Sequence, residues 1–288
     1  MPRSPGLHGY LYVVAAASLW GTIGVAFKLG LERGVDYDWL IAGRPLLAGA
    51  IAVAVLAAAG VKPSRWSAAI GLAALAPLYV TYPLAVERIG AGMASVLLYT
   101  APIWVVIGGR LLLGERVDRA KAASVALGVG GATLIGVPGG LLAFDPLGLA
   151  LGLASGLAYA AYMLLARAAQ TTGGGGHLQV SLAPLAFAGP ATYLAVRPEG
   201  VPGVEEAPFI LYLAVACTIL PYYLHVRGLK HIEAGRVAVV SLLEPVVALL
   251  LAASILGESY SEPQVLGSIL ILASSAIAMG APSGGSRA

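Results

Sequence analysis

The fold is decided by a stretch that reads Tyr82-Pro-Leu-Ala-Val-Glu-Arg-Ile-Gly-Ala-Gly92 and continues through Pro102 to Leu112-Leu-Gly-Glu115. A second copy follows at an offset of 143 residues, from His225-Val-Arg-Gly-Leu-Lys-His-Ile-Glu-Ala-Gly235 to Ile255-Leu-Gly-Glu258. The gap-free identities include Ile89 with Ile232, Ala91 with Ala234, Gly92 with Gly235, Pro102 with Pro245, and Gly114-Glu115 with Gly257-Glu258. The chain is therefore predicted to consist of two copies of one unit, residues 1–140 and 141–288.

The composition indicates that this chain is surrounded by lipid. Of its 288 residues 59% are hydrophobic and 11% are charged, whereas a soluble domain carries about 25% charged residues. Its charge-free runs each reach the roughly 20 residues that cross a bilayer as a helix. The net charge of +3 comes from short basic flanks between these runs, which is a topology signal and no sign of nucleic-acid binding. The single cysteine, Cys217, excludes an intrachain disulfide, and we expect no cofactor.

The apolar runs predict an all-α integral membrane protein with ten transmembrane helices. The spans lie at about 9–30, 37–60, 65–87, 90–112, 118–137, 146–169, 177–196, 207–228, 234–256 and 263–281. Twelve Lys and Arg residues fall on one side and four on the other, which predicts a multi-pass protein of the cell membrane with both termini cytoplasmic. Since each unit has five spans, the second enters from the opposite side. The units then form an inverted-topology repeat, as in secondary transporters.

The motifs of both units resemble those of the EamA-like ten-helix family in the drug/metabolite transporter superfamily. The resemblance covers nearly the whole chain and rests on Leu19-Trp-Gly21, Phe27-Lys-Leu-Gly30, Arg44, Ile89-Gly-Ala-Gly…Ala101-Pro…Leu113-Gly-Glu115 and Ile232-Glu-Ala-Gly…Leu243-Glu-Pro245…Leu256-Gly-Glu258. It implies two inverted five-helix repeats around a central cavity lined mainly by spans 1, 3, 4, 6, 8 and 9. It also implies transport of amino acids, other small metabolites or drugs, in many members outward. One departure from symmetry is that Ala101-Pro102 corresponds to Glu244-Pro245.

Aromatic and polar residues inside the spans are the candidates for a substrate site. Polar groups are costly to bury in lipid, and ligand sites combine aromatic side chains with a few polar groups. Tyr79 corresponds to Tyr222 in the second unit, and Tyr82 corresponds to His225. Packing between helices is the alternative role for the aromatic residues. The predicted substrate-binding residues are Trp20, Tyr79, Tyr82, Tyr99, Tyr159, Tyr162, Tyr222, His225 and Glu244.

Glu244 is the only acidic residue that we place in the middle of a span. Burial disfavours its ionised form, so it could carry a proton and make protons the coupling ion. An ionised Glu244 could instead attract the ammonium group of a substrate. In the third alternative the neutral carboxyl group is bonded to a neighbour such as Ser241 and serves packing alone.

Three further charged residues have more ordinary expected roles. Arg44 lies about two turns inside the second span and is expected to pair with Asp38 or Glu87, although it could attract a substrate carboxylate. Glu115 and Glu258 lie at the turns after spans 4 and 9, where we expect each to cap the following helix.

These features predict a secondary transporter that exports small metabolites such as amino acids by alternating access, with a small molecule and the lipid bilayer as its partners. A passive channel or a lipid scramblase is an open alternative, because an inverted repeat is compatible with either. An intramembrane enzyme is disfavoured: the four histidines form no His-Glu-x-x-His motif, and the aspartates fall at predicted loops. The sequence leaves the substrate, the direction of transport and the oligomeric state open.

Overall fold

A computed structural model of the protein describes residues 5–137 and 145–280, and every regular element in these ranges is helical. The elements are α1 (Pro5–Gly21), α2 (Ile23–Glu32), α3 (Tyr37–Ala58), α4 (Arg65–Ile70), a π-helical turn (Gly71–Leu75), α5 (Ala76–Leu98), α6 (Ala101–Leu112), α7 (Arg119–Gly136), α8 (Pro146–Thr171), α9 (His177–Ser181), α10 (Ala183–Val196), α11 (Ala207–Ala214), a second π-helical turn (Val215–Ile219), α12 (Leu220–His231), α13 (Ala234–Ser241), α14 (Leu243–Leu256) and α15 (Glu262–Gly280). The predicted unit boundary at residues 140 and 141 and both chain ends lie outside the described residues.

Eight helical segments of the described chain are long and apolar enough to cross a membrane, which makes the protein a multi-pass membrane protein. They are Leu7–Glu32, Tyr37–Ala58, Arg65–Leu112, Pro146–Thr171, His177–Val196, Ala207–His231, Ala234–Leu256 and Glu262–Gly280. This number differs from the predicted ten at two places. Two predicted spans form one segment of 48 residues, Arg65–Leu112, and α7 is not among the eight.

The long segment Arg65–Leu112 is divided by a break at Gly90. Gly90 has φ 79° and ψ 155°, a backbone conformation that glycine adopts readily and other residues rarely do. A straight helix of 48 residues would be about 70 Å long, more than twice the thickness of the hydrocarbon core. The second half of the chain breaks at the equivalent place, where Ile232 and Glu233 are extended between α12 and α13.

Acidic side chains in the connections cap the N-termini of several helices. Asp118 accepts a hydrogen bond of 2.7 Å from the backbone N–H of Lys121 and so caps α7. This is the role that we expected of Glu115, and that expectation was wrong. Asp145 caps α8 in the same way and is also bound by Arg88 at 3.1 Å. The hydrogen bond from Arg88 lowers the pKa of Asp145 below its usual value.

Small residues allow the helices to approach closely. The main packed pairs are α5 with α8, α7 with α15, α3 with α10, and α1 with α12. Where α7 crosses α15, Gly131 and Gly267 face each other so closely that a methyl group on either would meet the backbone oxygen of the other. Such contacts are typical of helix association in membranes, where dispersion contacts replace the hydrophobic effect as the driving force.

The two π-helical turns occupy equivalent places in the two halves, to within one residue. Each interrupts a helix that continues into an aromatic segment, α5 in the first half and α12 in the second. A π-helical turn contains one residue more than an α-helical turn, and such insertions occur frequently at functional sites. The similarity of the two halves therefore extends to an irregular backbone feature.

Candidate functional site

A cavity of about 650 Å³ lies between the two halves of the chain. One end, here called the mouth, is bordered by the exposed residues Lys28, Leu31 and Glu32 at the end of α2. The other end is closed by the buried side chains of Tyr159 and Tyr222. The full wall is formed by Trp20, Gly21, Ile23, Gly24, Phe27, Lys28, Leu31, Glu32, Tyr37, Ile41, Arg44, Leu78, Tyr79, Tyr82, Pro83, Val86, Ala91, Ser95, Leu98, Tyr99, Tyr159, Tyr222, Glu244 and Ala248.

Seven of the nine predicted substrate-binding residues lie on this wall. They are Trp20, Tyr79, Tyr82, Tyr99, Tyr159, Tyr222 and Glu244. The aromatic rings pack edge to face at the closed end, where the ring of Tyr222 lies 5.4 Å from that of Trp20 and 6.5 Å from that of Tyr79, measured between centroids. This arrangement is favoured by the quadrupoles of the rings. Whether these residues contact a substrate stays a prediction.

Tyr162 and His225, the other two predicted residues, lie one layer behind the wall. Both side chains are fully buried, with exposed fractions of 1% and 0%. The hydroxyl group of Tyr162 is 3.0 Å from Nδ1 of His225, and Nε2 of the same ring is 3.1 Å from the Oγ atom of Ser241. Both ring nitrogens are thus satisfied inside the protein, and the chain of hydrogen bonds joins α8, α12 and α13 beneath Tyr222.

Two tyrosine hydroxyl groups on the wall lack a good internal partner. Tyr79 and Tyr159 are buried, and within the described residues neither hydroxyl group makes a hydrogen bond of good geometry, although Tyr222 and Ser241 respectively lie close to them. A buried polar group without a partner costs free energy. Each hydroxyl oxygen has almost no accessible surface in this state, so water or a polar ligand reaches it only when neighbouring side chains move.

Glu244 stands in the first turn of α14 with its carboxyl group at the cavity wall. The hydroxyl group of Tyr99 lies next to it. Ser241, the neighbour that we expected, bonds instead to His225 and to the backbone oxygen of Val237. The side chain is half-buried, so the cavity gives it access to water.

Arg44 supplies a positive charge on the same wall. Its Nε atom donates to Oγ1 of Thr218 at 2.7 Å, and its Nη2 atom donates to the backbone oxygen of Cys217 at 3.1 Å. The guanidinium carbon lies 5.4 Å from the ring centroid of Tyr79. In the described part of the chain neither Asp38 nor Glu87 forms an ion pair with Arg44, so the expected pairing was wrong.

The position of Arg44 depends on the second π-helical turn, which contains Cys217 and Thr218. A π-helical turn departs from the regular hydrogen-bond pattern of the α-helix, and here the backbone oxygen of Cys217 accepts from Arg44. The intramembrane charge of Arg44 was visible in the sequence, but this irregular turn was not. Nη1 of Arg44 makes no hydrogen bond within residues 5–137 and 145–280, so its N–H groups are among the donors that remain for a ligand.

The described residues contain no cluster of three or more His, Cys, Asp or Glu side chains that could hold a metal ion. The ionisable side chains on the cavity wall are Lys28, Glu32, Tyr37, Arg44, Tyr79, Tyr82, Tyr99, Tyr159, Tyr222 and Glu244. The cavity is therefore equipped to hold a small polar molecule through Arg44, Glu244 and several aromatic rings, while Lys28 and Glu32 add one further charge of each sign at the mouth.

Comparison with known proteins agrees with this architecture. An uncharacterized transporter of Archaeoglobus fulgidus is 30% identical over 274 residues, which cover 94% of this chain and 96% of that protein. A probable amino-acid metabolite efflux pump of Salmonella typhimurium is 47% identical over 64 residues, only 22% of this chain and 21% of that protein. A crystal structure with 22% identity superposes with a TM-score of 0.78, covering 94% of this chain and 96% of its own, and shows the same fold.

A model of the EamA-like transporter family matches the chain twice, over residues 7–137 and 146–280. The two matches leave a gap that contains the predicted unit boundary. Together they account for most of the sequence, and the relative from Archaeoglobus fulgidus is similar over nearly its full length. On this evidence the chain belongs to the EamA-like transporter family of the drug/metabolite transporter superfamily.

Proposed function

We propose that this protein is a secondary active transporter of the cell membrane that exports amino acids or closely related small metabolites. The observation that carries the proposal is a cavity, closed at one end, with Arg44 and Glu244 on its wall. A cavity of about 650 Å³ falls within the usual range of about 300–1,000 Å³ for small-molecule sites. The closed end favours a carrier over a passive channel, because a channel needs a continuous path.

The two charges suit a zwitterion. The free Nη1 donor of Arg44 can bind a carboxylate, since guanidinium groups match the geometry of carboxylates. The Glu244 carboxyl group can accept from an ammonium group. The aromatic rings of Trp20, Tyr79 and Tyr222 would then surround an apolar side chain. The short similarity to a probable amino-acid metabolite efflux pump supports the same substrate class.

The proposed transport cycle rests on ten membrane crossings in two inverted five-helix repeats. The break at Gly90 allows Arg65–Leu112 to cross twice, and α7 packed against α15 supplies the remaining crossing of the first repeat. The count of twelve basic residues on one side and four on the other supports a cytoplasmic location for both termini. An impermeant thiol reagent applied to intact cells should then fail to label cysteines introduced at Ser4 or Ser286.

Protons are the proposed coupling ion, and Glu244 is the proposed carrier. A carboxyl group that faces a water-filled cavity in one state and is enclosed in the next changes its affinity for protons during the cycle, which couples a proton gradient to substrate movement. The corresponding residue in the first repeat is Ala101, which cannot take part. Coupling would therefore depend on one half of the protein.

Counterflow into proteoliposomes tests the proposal. Liposomes preloaded with a mixture of unlabelled L-amino acids should accumulate a radiolabelled amino acid from outside faster than empty ones, because a carrier shows trans-stimulation and a pore does not. An aromatic amino acid should compete, while the amine and the acid that each lack one of its charged groups should compete at least tenfold less well, because a charge-assisted hydrogen bond contributes about 1.5–3 kcal/mol.

Two variants and a control locate the site. Arg44→Gln and Glu244→Gln should each weaken binding of the amino acid, whereas Arg110→Gln, at an exposed position near the end of α6, should leave transport unchanged. Flux without trans-stimulation would indicate a channel. No flux of any amino acid, with protein correctly folded and inserted, would exclude the substrate class.

A further inference from the structure

The closed end of the protein is held by a contact between the two halves that involves Glu115. One carboxylate oxygen accepts from the backbone N–H of Ala234 at 2.8 Å, and the other accepts from that of Gly235 at 3.3 Å. Glu115 is only 9% exposed, and the Nε atom of Arg167 lies 3.7 Å from the same carboxylate. The carboxylate satisfies N–H groups in the first turn of α13, where the helix dipole also favours a negative charge.

The same groups exist at the mouth, but there they are apart. At the repeat offset Glu258 corresponds to Glu115, and Ala91 and Gly92 correspond to Ala234 and Gly235. Ala91 is exposed and borders the cavity at the mouth, whereas Ala234 is completely buried.

In the described part of the chain, the Glu258 carboxylate accepts no hydrogen bond from the backbone N–H of Ala91 or Gly92. It pairs with Lys28 at 2.7 Å, and both side chains are about half exposed. The first helices of the two halves align at an offset of 139 residues, at which Lys28 is the counterpart of Arg167, so the basic partner is also repeated between the halves. The contact between the glutamate and the two backbone N–H groups is formed at the closed end and is not formed at the mouth.

We infer that Glu115 and Glu258 are alternating latches of the transport cycle. When the mouth closes, the Glu258 carboxylate binds the backbone N–H groups of Ala91 and Gly92, and Glu115 releases those of Ala234 and Gly235. The break at Gly90 provides the hinge on the mouth side, because Ala91 and Gly92, whose N–H groups Glu258 would bind, follow it directly. This inference rests on the proposed alternating-access function and assigns its two end states to two carboxylates.

The closed end has further ion pairs that the mouth cannot copy. Lys121 binds Glu233 at 2.8 Å with 1% and 15% of the two side chains exposed, and Arg236 lies 3.3 Å from Asp118. Their counterparts in the other half are Gln264, Gly90, Met93 and Ser261, which carry no charge. These ion pairs form only at the closed end, so they favour the state with an open mouth.

The latch predicts opposite effects for two similar substitutions. Glu115→Gln removes a charge-assisted contact that exists only with the mouth open, so the population with a closed mouth should rise about tenfold. Glu258→Gln should lower that population about tenfold, because the exposed pair with Lys28 that it also removes contributes little. Glu262→Gln removes an exposed carboxylate outside the latch and serves as the matched control.

Spin-label distances measure these populations without any substrate. In a Cys217→Ala background, one label pair at Leu31 and Glu87 reports on the mouth, and a second pair at Val117 and His231 reports on the closed end; all four positions are exposed. Glu115→Gln should shorten the first distance and lengthen the second in a larger fraction of molecules, and Glu258→Gln should do the reverse.

The outcomes separate this inference from the proposed function. Shifts in the same direction for both variants, no shift relative to Glu262→Gln, or a single population in every variant would each overturn the latch. Glu258 is exposed, so its variant is expected to fold even if Glu115→Gln does not. Opposite shifts without amino-acid flux would support the latch and contradict the proposed substrate. Amino-acid flux without the shifts would support the proposed substrate and overturn the latch.

Discussion

Replacing Tyr162 with phenylalanine removes one oxygen atom and leaves Nδ1 of His225 without its partner at 3.0 Å. Both residues are fully buried, so water cannot easily replace the lost hydroxyl group. Hydrogen bonds between membrane helices contribute about 0.6 kcal/mol on average and up to about 1.7 kcal/mol, and an unsatisfied buried group costs about 1–3 kcal/mol. We expect the variant to lose about 1–2 kcal/mol of stability, which corresponds to a fall in Tm of a few degrees.

Thermal unfolding of the purified protein in detergent, followed by tryptophan fluorescence, measures this change. Trp20 lies 5.1 Å from the ring of His225 and should report on the loss of packing there. The matched control is Tyr82→Phe, because the hydroxyl group of Tyr82 bonds Ser95 at 3.0 Å but lies on the cavity wall. Tyr82→Phe should clearly change the concentration of amino acid at half-maximal transport, whereas its effect on Tm should be small.

Tyr162→Phe should show the reverse pattern, with lower stability and an unchanged half-saturating concentration. A double-mutant cycle with His225→Leu should give a coupling of about 1 kcal/mol, since the two side chains bond directly. The reasoning would be refuted by a Tyr162→Phe protein of unaltered Tm whose half-saturating concentration changes more than that of Tyr82→Phe. Tyr162 would then contact the substrate, as the sequence alone predicted.

Three other predictions follow from the site and the fold. Glu244→Gln should abolish the acceleration of transport by a pH gradient, because the residue is the proposed proton carrier. Amino-acid exchange should persist at a lower affinity, because the same carboxyl group is proposed to accept from the ammonium group; unchanged transport and pH response would leave only a packing role. Gly90→Ala should lower Tm, because a side chain at φ 79° and ψ 155° costs about 1–3 kcal/mol. Gly24→Ala, which meets open space, should not lower Tm; equal effects would show that the break tolerates side chains. Trp20→Ala should reduce counterflow severalfold with folding retained, and full counterflow activity would place the substrate elsewhere.

The sequence alone predicted the helical membrane architecture and identified as candidates most of the aromatic residues that lie on the cavity wall. These residues could be identified because the internal repeat gives each of them a counterpart in the other half, Tyr222 for Tyr79 and His225 for Tyr82. Helical spacing shows that Tyr159 and Tyr162 share a face of α8, but it does not show which of the two reaches the cavity. The depth of each side chain is set by neighbouring helices, and only the structure places Tyr162 behind the wall.

The partners of two charged residues could not be predicted from the sequence, for a different physical reason. Arg44 and Glu115 bind backbone groups of distant segments, the oxygen of Cys217 and the N–H groups of Ala234 and Gly235. Backbone groups are present at every position, so no residue type in the sequence marks them as partners. A search for opposite charges therefore chose Asp38 and Glu87 for Arg44, and neither is its partner in the described part of the chain.

The π-helical turn at Val215–Ile219 sets a strict limit on the length of its helix. Each residue of an α-helix advances the next by about 100° around the axis, so deleting one residue from the turn would restore a regular helix and rotate all of α12. Tyr222 would leave the cavity wall, and His225 would leave Tyr162 and Ser241. Insertions and deletions should therefore be excluded from this turn, while single substitutions are accepted everywhere except at Thr218, whose hydroxyl group accepts from Arg44. At the other positions of the turn, selection should act on the length of the segment and not on the identity of the side chains.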